Sequence, residues 1–210
     1  MHRCRLAEWG PTGPARRAMS GGPELWLVRH GSTEWTATRQ HTGRTDLPLD
    51  ADGRRQAAAL YKPLDRQVFT AAFTSPLLRA RDTARIAGFA DAEVLDDLCE
   101  WDYGVYEGST TAEIRKAIPR WSVWVDPIVD GETLADVAIR ARRVLDHLTS
   151  YDGRVVLFAH AHVLRILTAC VLGVDPVAGR VLRLDAGSIS VIGHEHDYRA
   201  LAAWNWQPGA

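Results

Sequence analysis

Two apolar runs in this chain end the same way. Leu25 to Val28 leads into Arg29-His30-Gly31, and Val155-Val156-Leu157-Phe158-Ala159 leads into His160-Ala161. Continuous apolar stretches of this length read as strands buried on both faces, so each strand delivers a histidine just past its end, before a small residue. Between them the pattern switches repeatedly from period 2 to period 3.6. Gly31 to Asp50 has turn chemistry and no clear period, which predicts a long ordered loop. Asp50 or Asp52 caps a predicted helix through Arg54, Gln56, Ala57, Ala58 and Leu60, stopped near Pro63. Val68 to Thr74 reads as a strand and Leu77 to Ala87 as a helix opened by Pro76 and closed by Gly88. Glu93 to Leu98 reads as a third strand, followed by a glycine-punctuated loop, Asp102 to Gly108, and helices over Thr110 to Ile118 and Leu134 to Ser150. After the Arg154 to His160 strand come a helix, Val163 to Leu172, and three short strands, Arg180 to Leu184, Ser188 to His194 and Arg199 to Ala203. Alternation first and hairpins last predict an α/β fold: a three-layer α/β/α sandwich around a mixed, mostly parallel central sheet.

The 210 residues, 46% of them hydrophobic, are enough to bury a full core. Residues 23–206 are read as one domain, with 1–22 as a flexible leader rich in Gly, Pro and Arg, Met19 as a candidate start, and 207–210 as a short frayed tail. A net charge of -1, from 25 basic and 26 acidic residues, argues against a nucleic-acid or membrane partner. Lys62 and Lys116 are the only lysines; the remaining basic residues are arginines, which suit bidentate contacts to phosphate. Cys4, Cys99 and Cys170 are odd in number and widely spaced, which fits neither a disulfide framework nor a zinc site and suits a cytoplasmic location. No apolar stretch approaches the roughly 18 residues of a membrane span.

Functional groups in open α/β sheets gather past the strand ends. Alone, Arg29-His30-Gly31 reads as easily as two polar residues facing water, and His160 as a hydrogen-bonded structural histidine. As a pair on neighbouring strands they would share one small space, with the helix after His160 offering free N–H groups to an anion. Ser75-Pro76-Leu77-Leu78-Arg79 adds an arginine at a helix start, able to give two parallel donors to phosphate oxygens. Glu100, between Cys99 and Trp101 and close to Tyr103, is a carboxylate that the aromatics could keep partly dry, raising its proton affinity as an acid catalyst requires.

Taken in order, Arg29-His30-Gly31-Ser32-Thr33-Glu34-Trp35, Thr42-Gly43-Arg44-Thr45-Asp46-Leu47-Pro48-Leu49, Ser75 to Ala80, Glu100 to Gly108 and Phe158-Ala159-His160 resemble the motifs of the histidine phosphatases of the phosphoglycerate mutase-like superfamily, in the acid phosphatase-type branch. The resemblance runs from about Leu25 to Trp204. It implies a metal-independent phosphomonoesterase with no cofactor and a small-molecule phosphate ester as its partner. His30 would be the nucleophile, Arg29, Arg79 and His160 the holders of the non-bridging oxygens, and Glu100 the general acid and then base. Thr36, Thr42, Gly43, Tyr103, Ala161 and His162 would complete the phosphate and substrate contacts. Thr36 stands where many members have asparagine. Ala161 replaces a glycine, which would lower activity if that position needs positive φ. Trp121, Trp124 and Val125 read as core residues without further explanation, yet by the resemblance their stretch corresponds to the family's variable lid, and an aromatic lid would suit an organic phosphate better than a highly charged bisphosphate.

Two other functions stay open: a cofactor-dependent phosphoglycerate mutase, disfavoured because Ser109 to Gly131 is short and carries only Arg115, Lys116 and Arg120, and an inactive phosphate-binding module. His194 and His196 share a strand face as a metal pair would, but no third ligand is evident. His41 could line the pocket mouth or face water, and His147 sits on a solvent face. The late strands could support a homodimer.

Overall fold

The computed structural model describes residues 22–209, so the leader expected over 1–22 lies, apart from Gly22, outside the described residues. Among these residues, six strands form one sheet: β1 (Glu24–Arg29), β2 (Ala71–Thr74), β3 (Glu93–Val94), β4 (Arg154–Ala159), β5 (Ile189–Glu195) and β6 (Tyr198–Trp206), in the order β3-β2-β4-β1-β5-β6. The first four named run parallel, and β5 and β6 close one side antiparallel. Among the described residues, six α-helices accompany them: α1 (Glu34–Thr38), α2 (Ala51–Asp65), α3 (Leu78–Ile86), α4 (Thr111–Ala117), α5 (Leu134–Leu148) and α6 (Ala161–Val171).

Strand alternation divides the core into two layers. Leu25, Leu27, Val155 and Leu157 pack with Val137 and Val144 of α5 and Val163 and Leu167 of α6. Val28, Val156 and Phe158 face the other way, onto Leu60 and Leu64 of α2 and Ala84 of α3. Helices on both faces of a mixed sheet make the three-layer α/β/α sandwich, as the sequence pattern predicts. Among the described residues, no helix is long and apolar enough to cross a membrane.

Several boundaries differ from the sequence reading. The early loop contains α1, whose five residues bury no side chain and depend on Thr33 accepting the Thr36 N–H. Helix α2 passes through Pro63, because proline in a last turn forfeits only one backbone bond while buried Leu64 holds the turn to the core. Strand β2 begins at Ala71, leaving Val68 exposed. Only Glu93 and Val94 pair as β3 before a 3₁₀ turn at Asp96–Leu98 bends the chain away. The strand expected at Arg180 to Leu184 does not form: a 3₁₀ helix, Pro176–Val181, started by Asp175 accepting the Val177 N–H and by proline in its first turn, takes its beginning, and residues 182–184 are irregular. Strand β5 ends before His196, which turns with positive φ, so the expected two-histidine face is broken. The tail is anchored at its start, where Gln207 donates to the Ala186 carbonyl.

Candidate active site

The register Arg29↔Ala159 between β1 and β4 brings His30 and His160 out side by side, with ring centroids 5.0 Å apart. The chain turns after His30 because Gly31 and Gly53 meet there: a Cβ on Gly31 would lie 2.3 Å from the Gly53 carbonyl oxygen. His30 Nδ1 lies 2.7 Å from the Gly31 carbonyl oxygen, which can only accept. Nδ1 therefore carries the proton, and Nε2 keeps its lone pair. Burial, then the charges of Arg79 and Arg29, hold the His30 pKa well below its ordinary value, so the ring is a neutral nucleophile.

The expected Arg79 and His160 are fully buried beside it. Arg79 donates from Nε to His160 Nδ1 at 3.1 Å, from Nη1 to the Thr45 carbonyl, and from Nη2 to the carbonyls of Thr42 and Gly43. His160 Nε2 lies 2.8 Å from Ser75 Oγ. Since Nδ1 accepts, Nε2 is the donor, and both ring nitrogens of His160 have protein partners. Gly43, expected on phosphate, packs behind: its N–H donates to Glu107, its carbonyl accepts from Arg79, and a Cβ would come within 2.5 Å of the Trp101 carbonyl.

Glu100 is buried with three backbone donors on its carboxylate: Trp101 N–H, and the N–H groups of His162 and Val163 in the first turn of α6. Two expectations change here. The end of α6 is already capped by this carboxylate, leaving Ala161 N–H as the helix-end donor that Glu100 does not take. The group is shielded from water, but by backbone dipoles as much as by aromatic rings. Ala161 has helical backbone geometry and not positive φ, so alanine is unstrained there and the expected loss of activity has no conformational cause.

Arg29, His30, Thr36, Thr42, Glu100, Tyr103, Ala161 and His162 all line one cavity of about 660 Å³, joined by His41. Tyr103 Oη is 2.6 Å from His162 Nδ1. Burial, with Glu100 and Glu107 nearby, raises the Tyr103 pKa well above its ordinary value, while burial and Arg165 lower that of His162. Both groups are therefore uncharged, and the short contact fixes the His162 ring against the phenol. Sequence reasoning missed a whole wall of this cavity: Arg39 at the end of α1, and Arg180, Arg183, Leu184 and Asp185 between α6 and β5. The Pro176-x-x-Gly179 spacing was the available signal that this stretch is not a strand.

The aromatic lid is absent from that cavity. Trp121 is 1% exposed in the core, packed on His41 and Tyr106, and Trp124 lies against His162 and under the Arg165 guanidinium. Trp121→Ala should therefore destabilise the fold by about 3–5 kcal/mol and leave the ranking of KM values across substrates intact. Denaturant unfolding beside a substrate series checks it, and a changed ranking at unchanged stability would restore the lid.

Four histidines here carry lowered pKa values: His30, His160 and His162 well below 6.5, and His41 at about 4, each through burial first. Below pH 6.5 the unfolded chain takes up protons that the folded chain excludes. Stability should thus be full above about pH 6.5 and fall as the solution is acidified. Thermal melts from pH 8 to pH 5 check the sign; a Tm that climbs on acidification contradicts it.

A family model described as the histidine phosphatase superfamily (branch 1) matches residues 25–207. The chain is 36% identical over 184 residues to an acid phosphatase of Mycobacterium tuberculosis, covering 85% of this chain and 90% of that one. It is 32% identical over 192 residues to a probable phosphoglycerate mutase of Serratia proteamaculans, covering 86% and 89%. The solved structure of open reading frame Rv3214 of Mycobacterium tuberculosis matches with a TM-score of 0.82 at 35% identity, covering 88% of this chain and 98% of that one. The chain belongs to the histidine phosphatase superfamily.

Proposed function

We propose that the protein is a metal-independent, acid phosphatase-like phosphomonoesterase that hydrolyses small organic phosphate esters through a phosphohistidine at His30. The observation that carries this reading is the Nδ1 bond of His30 to the Gly31 carbonyl, which leaves a neutral Nε2 lone pair in a cavity shared with Arg29 and Glu100. Nε2 attacks phosphorus as the ester P–O bond breaks, and the Glu100 carboxyl gives its proton to the departing alkoxide. The Glu100 carboxylate then takes a proton from water, whose oxygen attacks phosphorus and breaks the P–N bond. Inorganic phosphate leaves and both residues are restored.

Arg29 supplies donors to the phosphoryl oxygens, with His162 beside it in the cavity, and Arg79 acts from behind by keeping His30 unprotonated and His160 in place. The arginines provide the positive charge that a metal would otherwise bring. A cytoplasmic location fits the free thiols Cys99 and Cys170, and the balanced charge fits a small-molecule partner.

Phosphate release from sugar phosphates, glycerate phosphates, nucleotides and aryl phosphates in the presence of a chelator tests the reading. Turnover that survives chelation supports it. Interconversion of 3- and 2-phosphoglycerate without free phosphate would replace it with the mutase reaction. The basic residues after the acid segment give that outcome little support, since Arg115 donates to the Trp121 carbonyl.

A further inference from the structure

The cavity holds more positive charge than one phosphoryl group requires. Five arginines line it, Arg29, Arg39, Arg165, Arg180 and Arg183, against the two carboxylates of Glu100 and Asp185. Its histidines neither add to nor offset that charge, because burial keeps His30, His41 and His162 neutral. Asp185 is already engaged by Arg183 at 3.0 Å and by the Asn205 side chain. A phosphate monoester brings two negative charges and leaves cationic wall unmatched.

The arginines divide by what they already hold. Arg165 donates to the carbonyls of Gly179 and Arg180 and lies over Trp124. Arg29 donates from Nη1 to the Leu184 carbonyl. These two bind the 180–186 segment to the site, so it is a fixed wall. Arg180 belongs to that segment and Arg39 is the left-handed C-cap residue of α1; both are exposed and line the cavity. Neither Arg39 nor Arg180 has a carboxylate partner among the described residues, although both line the cavity that contains His30.

Resting on the phosphatase reading above, we propose that the substrate carries a second anionic group, a carboxylate or a second phosphate, held by Arg39 and Arg180 while its first phosphoryl group meets His30. Guanidinium groups suit both anions, giving paired donors in a planar fork. The site selects esters by their distal charge, the reverse of the selection an aromatic lid would impose.

Three esters on one skeleton test this: propyl phosphate, 3-phosphonooxypropanoate and propane-1,3-diol bisphosphate. Binding is measured calorimetrically in the His30→Ala protein, which ranks them without turnover, and phosphate release is measured in the wild type. At least one anionic ester should bind about tenfold tighter than propyl phosphate. Which of the two it is identifies the second group. The preference should shrink with added salt and fall below about threefold in Arg39→Gln/Arg180→Gln, whose exposed positions leave the core untouched. Propyl phosphate binding as well as both others, no measurable binding by any of them, or a preference that survives the double substitution would overturn the proposal. If the binding ranking holds but the wild type releases no phosphate from any ester, the catalytic reading fails and the anion site stands.

Discussion

His30→Ala should lower phosphate release by about ten-thousand-fold or more while the protein stays folded. The size of the effect follows from what the ring supplies. It is the neutral group aimed into the cavity with a free lone pair, its second nitrogen tied to the Gly31 carbonyl. Its neighbours cannot substitute: His160 has both ring nitrogens partnered, and Glu100 is turned onto the first turn of α6. The fold should tolerate the change, because the backbone N–H of His30 donates to the Ala159 carbonyl whatever the side chain. The comparison is steady-state release by wild type and variant at matched Tm. A variant within tenfold of the wild type would remove His30 from the chemistry.

Glu100→Gln should cost about a hundred- to ten-thousand-fold in kcat for alkyl phosphates, the range that a positioned general acid contributes. For p-nitrophenyl phosphate, whose phenolate leaves without a proton, the first step should lose far less. That contrast separates proton donation from a structural role. Glutamine also turns an amide N–H₂ toward the backbone donors of Trp101, His162 and Val163, so some stability should be lost as well. Equal losses for both leaving groups would assign Glu100 to holding α6 and not to proton transfer.

The parts legible in the sequence were those that local pattern determines. The β1 and β4 runs are continuous because both strands are buried on both faces, and their parallel pairing carries Arg29, His30 and His160 to the C-terminal ends of two central strands. Asp50, one of the two caps offered for α2, and the apolar period of α5 mark helices that the structure shows. The capping of α6 by Glu100 was not legible, because it joins residues about sixty positions apart and leaves no periodic trace. Nor was the engagement of Arg79, whose donors go to carbonyls of a loop that composition shows only as irregular.

For the Trp121 region the sequence left core and lid open, and the 180–186 wall reads there as an edge strand. A tryptophan near a site has the same composition signal whether it lines a lid or fills the core, and here Trp121 and Trp124 fill the core behind His41 and His162. The alternation of Val181, Leu182, Arg183 and Leu184 imitates a strand, but Asp175 and Pro176 start a 3₁₀ turn, and only Leu184 of that group is buried. The chain thus presents arginines to the cavity where the sequence suggested an edge strand, and this shifts the expected substrate toward higher charge.

The covalent intermediate is the centre of the account. Wild-type protein mixed with a phosphate-labelled substrate and quenched within milliseconds should yield a protein-bound phosphoryl group that is lost in acid, survives alkali, and maps to the peptide containing His30. The same label on another residue, or release of phosphate at full rate with no bound label at any quench time, would contradict it.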